Sequence, residues 1–123
     1  MLSLNTVMIN SENPAALAEF WTKVLGAPGW EGNGYVGWRS GAGNLMIGPH
    51  SEVKGSSEMP GRIIVNFETP DVRAEFDRIK ALGATVAQEP YQPGGDASEM
   101  WLATFADADG NLFQLASPMP EDM

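Results

Sequence analysis

The sequence predicts an α+β chain built as two βαβββ modules, and three observations carry that prediction. Two helical stretches with one apolar face each end in Leu-Gly-Ala, at Leu25-Gly26-Ala27 and Leu82-Gly83-Ala84. Each stretch follows one β-leaning segment and precedes short segments punctuated by turn residues. Tripeptides also echo in the same order: Ala18-Glu19-Phe20 with Ala74-Glu75-Phe76, and Gly43-Asn44-Leu45 with Gly110-Asn111-Leu112. A unit of roughly 55 residues buries its sheet poorly alone, so a second copy supplies the missing partner face. The expectation is one domain over residues 1–123, with module one at about 1–55 and module two at about 61–117.

Leu4 to Ile9 is apolar and reads as the first strand. Asn13-Pro14 starts a helix, because Asn caps free backbone N–H groups and Pro is pre-set for the first helical position. Leu17, Phe20, Trp21, Val24 and Leu25 share one face of that helix, Gly26 stops it and Pro28 blocks continuation. Between Gly29 and Pro49 the turns leave three short strands, the first of which reads equally as an extended loop. His50 to Gly61 is polar and apolar-poor, a linker or mobile loop. Arg62 to Glu68 reads as a strand. Pro70-Asp71 begins the second helix, with Val72, Phe76, Ile79 and Leu82 on its apolar face and Gly83 at its end. Thr85 to Ala87 is a short strand and Gln88 to Ser98 a loop. Met100 to Ala106 and Asn111 to Ala116 form a hairpin around Asp107-Ala108-Asp109-Gly110-Asn111. That turn suits Gly, which reaches positive φ without steric cost, and Asp and Asn, which hydrogen-bond back onto the local backbone. The tail from Pro118 to Met123 should be loosely held.

With 123 residues, 43% of them apolar, the chain can bury a core. A formal net charge of −9 opposes binding to nucleic acid or to an anionic membrane surface. The absence of Cys excludes disulfides, thiolate metal sites and cysteine nucleophiles. No basic-then-apolar leader and no apolar run of membrane-spanning length is present, so a cytoplasmic location is expected. No phosphate-cradling Gly-rich loop, nucleophile elbow, paired-His motif or basic cluster occurs.

The Leu-Gly-Ala helix ends, the paired modules and the closing Asp107-Ala108-Asp109-Gly110-Asn111-Leu112-Phe113-Gln114-Leu115 resemble the vicinal oxygen chelate superfamily. That group includes glyoxalase I, bleomycin-resistance proteins and extradiol dioxygenases. The resemblance covers nearly the whole chain. It implies mixed sheets curving around a cavity, helices on the convex side, and a homodimer. In the metal-dependent members, four His, Glu or Gln ligands lie one per terminal strand of each module. The matching positions here read Asn5, Ile47, Ile64 and Gln114, with Ile47 set opposite Gln114 by the internal repeat. Aliphatic side chains have no lone pair to donate and neutral amides are weak ligands. A shift of one residue, to Met46, Ile63 or Val65, brings no better donor. The expectation is a scaffold of this superfamily without its metal and without another cofactor.

Other side chains are candidates for function. Gln114 is an amide among apolar neighbours, either a tolerated strand residue or part of a pocket. Asn66 and Glu68 share the strand face of Ile64. A desolvated Glu68 would have a raised pKa and could act as a base, and a hydrated one would be plain strand-end surface. His50, the only histidine, is either a base or an exposed loop residue. Trp30, Tyr35, Trp38 and Trp101, with Met46 and Met100, are either cavity walls or packing and interface residues. As walls they favour a planar or aromatic ligand. The seven Lys and Arg form no anion clamp, which weighs against a glutathione conjugate. The resulting expectation is a homodimeric, metal-free small-molecule-binding protein, closest in logic to the antibiotic-sequestering, bleomycin-resistance-type members. Its ligand contacts would be Asn5, Asn66, Gln114, Trp30, Trp38 and Trp101. Two alternatives stand beside it. One is a glyoxalase-like lyase, isomerase or dioxygenase, using metal ligands outside the family set or Glu68 as base. The other is a vestigial module that serves mainly to dimerise or to hold a partner.

Overall fold

Asn13 accepts a hydrogen bond from the backbone N–H of Ala16 at 3.3 Å, Pro14 occupies the first turn, and the helix α1 (Pro14–Leu25) follows from there. It ends where Gly26 takes φ of 90° and its N–H reaches back to the carbonyl of Thr22 at 2.8 Å. The second helix, α2 (Val72–Ala81), repeats the plan. Asp71 caps Ala74 at 3.0 Å, and Gly83 takes φ of 92° just beyond the end. A positive φ at both stops explains why each helix runs out at a glycine.

The computed structural model describes residues 1–95 and 99–118. The strands are β1 (Thr6–Ser11), β2 (Trp30–Gly32), β3 (Tyr35–Ser40), β4 (Gly43–Pro49), β5 (Val65–Glu68), β6 (Thr85–Tyr91), β7 (Leu102–Ala106) and β8 (Leu112–Ala116). The chain divides into two compact units, 1–56 and 57–123. The first holds a mixed sheet in the order β1-β4-β3-β2, with β1 parallel to β4. The second holds β5-β8-β7-β6, with β5 parallel to β8. Each unit is therefore a βαβββ module, and the α+β class read from the sequence is the class adopted. Neither sheet closes into a barrel.

Each module builds its core between its own helix and one face of its own sheet. In module one, Leu17, Trp21 and Val24 of α1 are buried with Trp38, Leu45 and Ile47 of the sheet. The indole Nε1–H of Trp38 donates to the carbonyl of Gly26 at 2.8 Å, which ties the helix stop to β3. In module two, Phe76 of α2 stacks on Phe105 at 5.1 Å and Phe105 on Phe113 at 5.6 Å. Burying each large side chain of this kind contributes roughly 1.5–3 kcal/mol.

Several boundaries differ from the sequence reading. The first strand runs from Thr6 to Ser11, and Leu4 is exposed ahead of it. The strand expected from Arg62 begins only at Val65, where its pairing with Phe113 begins; Pro60–Arg62 form a single 3-10 turn instead. The strand expected to stop at Ala87 continues to Tyr91 as β6, through Pro90. It is the edge of its sheet and pairs with β7 through two register shifts, an arrangement in which a missing N–H does little harm. The remainder of the loop expected to Ser98 lies partly outside the described residues, at 96–98. So does most of the tail, at 119–123. Leu82 lies past the end of α2 and is exposed, and Phe20 is only half-buried beside Trp21.

The segment expected as a linker or mobile loop bonds back to the residue after β1 as well as within its own turn. The N–H of Gly55 donates to Glu12 Oε1 at 3.0 Å, and Lys54 Nζ lies 3.8 Å from Glu12 Oε2. His50 Nδ1 accepts from the N–H of Glu52 at 3.2 Å.

The closing hairpin turns on Asp107, which is 6% exposed. Its Oδ1 accepts the N–H groups of Asp109 and Asn111, both at 2.9 Å, and the Asn111 side-chain amide at 3.1 Å. Its own N–H donates to the carbonyl of Asn111 at 2.8 Å. This fixes Ala106 opposite Leu112 and every pair outward from there.

Candidate functional site

Because side chains alternate across a strand, each sheet has a helix-covered face and an open one. In module two, Phe113 and Leu115 are buried on the helix side, so Leu112, Gln114 and Ala116 lie on the open face. Gln114 pairs with Asn66 on one side and Thr104 on the other, and Thr104 pairs with Gln88. All four strands thus contribute one neutral polar side chain to a single row: Asn66, Gln114, Thr104, Gln88. The Gln114 Nε2–H donates to Thr104 Oγ1 at 3.1 Å, and Asn66 Nδ2 donates to the carbonyl of Ile64 at 3.1 Å. Thr104 is 5% exposed, so its hydroxyl needs that partner.

The equivalent row in module one is apolar. Met8 pairs with Met46, Met46 with Gly37, and Gly37 with Trp30. A Cβ on Gly32 would meet the Trp30 ring at 3.4 Å, and one on Gly37 would meet it at 3.6 Å. The indole therefore lies against a surface made of glycine backbone, and 50% of the residue remains exposed. Tyr35 does the same over Gly48, where a Cβ would stand 2.2 Å from the ring. The next row holds Thr6, Asn44 and Arg39. Asn44 Nδ2 donates to the carbonyl of Asn5 at 3.3 Å, and the Thr6 hydroxyl donates to Asn5 Oδ1. Together these rows line a groove of about 440 Å³.

The structure sorts the residues singled out from the sequence. Asn66 and Gln114 come together on the module-two open face, and Glu68 lies at its end, exposed and paired with Ala116. Trp30 and Asn5 line the module-one groove, although Asn5 precedes the strand rather than lying within it. Trp38 is among the residues lining the module-one groove, but it is 3% exposed and its indole N–H is spent on the Gly26 carbonyl, so most of it belongs to the core. Trp101 lies beside the N-terminus of α2, in a depression of about 350 Å³ with Asp71, Arg73 and Ser117. His50 is exposed and serves its own turn.

Ile47 is fully buried on the helix side, and Met46 takes the open-face position beside Met8. The sequence echo misplaced it because Gly110 belongs to the turn whereas Gly43 already pairs with Ser40 in β4. Side chains along β1 and β4 on the open face are Thr6, Met8, Asn10, Asn44 and Met46, and those of β5 and β8 are Asn66, Glu68, Leu112, Gln114 and Ala116. Ile64 keeps the parity of Asn66 but precedes β5. At the four family positions and their open-face neighbours the donors are amides, the Thr6 and Thr104 hydroxyls, thioethers and a single carboxylate, Glu68, with no imidazole. That set does not fit a hard divalent cation. Among the described residues no three His, Asp or Glu side chains converge. None of the described helices is long and apolar enough to cross a membrane.

Thr104, Gln88 and Arg39 were missed in the sequence. For Thr104 a signal existed: counting outward from the Asp107–Asn111 turn sets it opposite Gln114. Gln88 and Arg39 carried none, since each sits where sheet pairing across other strands decides its row.

The family profile described as "Glyoxalase-like domain" matches residues 6–116. No curated protein matches the sequence. Among solved structures, a glyoxalase/bleomycin resistance protein from Albidiferax ferrireducens is similar at 21% identity and a TM-score of 0.74, covering 94% of this chain and 98% of its own. A glyoxalase/bleomycin resistance protein/dioxygenase family enzyme from Burkholderia phytofirmans aligns at 19% identity and 0.73, covering 96% and 100%. Lactoylglutathione lyase from Agrobacterium tumefaciens aligns at 18% and 0.71, covering 95% and 94%. At these identities the likeness is one of fold.

Proposed function

We propose that this chain, which belongs to the glyoxalase-like domain family, is a small-molecule-binding member that works without the metal of its metal-dependent relatives. The observation that carries the reading is the row Asn66–Gln114–Thr104–Gln88, where neutral hydrogen-bonding groups stand on the open face at the level of the last family ligand position. Such groups orient a bound molecule but supply neither a Lewis acid nor a nucleophile. On the module-two face Asn66 and Gln114 act as orienting contacts; on the module-one face, taken by itself, Trp30 with Met46 gives apolar surface. Sequestration of an antibiotic or metabolite, the logic suggested by the bleomycin-resistance relatives, asks for nothing further. The reading includes pairing of two chains, which exposed apolar side chains such as Met8 and Ile63 support.

The test is metal analysis of the purified protein followed by thermal-shift titration with Zn²⁺, Ni²⁺, Mn²⁺ and Fe²⁺, alongside a panel of planar antibiotics and metabolites. We expect no metal-specific rise in the melting midpoint and a saturable rise with at least one organic compound. A rise of several degrees at near-stoichiometric metal would overturn the metal-free reading. Silence across the whole organic panel would overturn the binding role.

A further inference from the structure

We infer that the module-one groove takes a planar aromatic anion, its ring against Trp30 and its carboxylate against Arg39 and Asn44. This inference rests on the small-molecule-binding reading and narrows its ligand class.

The first argument is charge. The chain carries sixteen Asp and Glu against seven Lys and Arg. The groove reverses that balance, because among the described residues Arg39 is its only ionisable lining residue. Arg39 donates through Nε to the carbonyl of Gly41 at 3.3 Å, and it has no carboxylate partner among the described residues. A guanidinium fork left without an acid in a strongly acidic protein is suited to an incoming carboxylate.

The second argument is the balance of donors and acceptors beside Arg39. Asn44, its cross-strand partner, spends one N–H on the Asn5 carbonyl and keeps the other. The Asn5 side-chain oxygen is already taken by the Thr6 hydroxyl. Among its groups the rim offers two donors side by side, the Arg39 guanidinium and the remaining Asn44 N–H, which an ionised carboxylate, an acceptor only, can engage together.

The third argument is shape. Glycine backbone at Gly32 and Gly37 supports the Trp30 ring on one side, and half of the residue is open to solvent. A flat ring laid on a supported indole gains stacking without displacing a neighbour.

The experiment uses 2-naphthoate and its neutral isostere 2-naphthamide at neutral pH. Affinity is read by calorimetry and location by the indole N–H resonance of Trp30, assigned with Trp30→Phe. We expect naphthoate to shift that resonance and to bind at least about tenfold more tightly than naphthamide, the scale of one charged hydrogen bond. Arg39→Gln should erase the preference, so that naphthoate and naphthamide bind the variant equally. Equal affinity for the two probes, a preference that survives Arg39→Gln, or a Trp30 resonance unmoved by bound naphthoate would each overturn the inference. Any of these would leave small-molecule binding itself standing. Failure of both probes to bind would overturn this inference as well, and the wider panel above would then decide the broader reading separately.

Discussion

Replacing Asp107 with Ala should be the most damaging single change in the turn from Asp107 to Asn111. The carboxylate accepts two backbone N–H groups at 2.9 Å and a side-chain amide at 3.1 Å, from a site that is 6% exposed. A hydrogen bond to a charged group contributes about 1.5–3 kcal/mol net, and an amide left without a partner keeps its desolvation cost. Asp109 and Asn111 are only half-buried, so water recovers part of what they lose. The expected destabilisation is about 2–4 kcal/mol. Asp107→Asn keeps the shape and one acceptor oxygen but turns an NH2 toward the Asn111 amide, and should cost about half as much. Urea unfolding followed by Trp emission measures both, with the loss read from the midpoint at unchanged slope. The reasoning is refuted if Asp107→Ala lies within about 0.5 kcal/mol of the parent, since the carboxylate would then not organise the turn. It is also refuted if Asn costs as much as Ala, since the retained acceptor oxygen would then contribute nothing.

Two further substitutions test the packing of module one. Trp38→Phe removes the 2.8 Å bond to Gly26 and part of a ring buried at 3% exposure, and should lower stability by about 1.5–3 kcal/mol in the same urea assay. Gly48→Ala places a Cβ 2.2 Å from the Tyr35 ring and must push that ring off the sheet, at about 1–3 kcal/mol. Adding Tyr35→Ala should remove most of that penalty, and a double-mutant cycle with no coupling would show that the ring does not rest there.

The two helix stops were legible because they depend on neighbours in the chain: Gly26 and Gly83 take the same positive φ for the same local reason. The tripeptide echoes were less faithful. Phe20 lies seven residues beyond its cap Asn13, and Phe76 five beyond Asp71, so the matching triplets face different ways and only Phe76 is core. The stretch from Gln88 read as a loop because nothing local says that Pro90 lies in an edge strand. Ile47 read as a site position because a slip of one residue, invisible in a composition echo, sends every side chain to the other face.

By itself, then, the sequence determined what short-range chemistry dictates: caps and stops, the Asp107 turn, the doubled βαβββ order, and an acidic chain without thiols. Tertiary structure decided which residues stand beside each other across strands, and so which side chains share an open face. Rows such as Asn66–Gln114–Thr104–Gln88 and Thr6–Asn44–Arg39 join segments far apart in the chain. Apart from the Thr104–Gln114 pair, which the Asp107 turn sets, their register follows from burial against the helices, a property of the packed module that no local stretch contains.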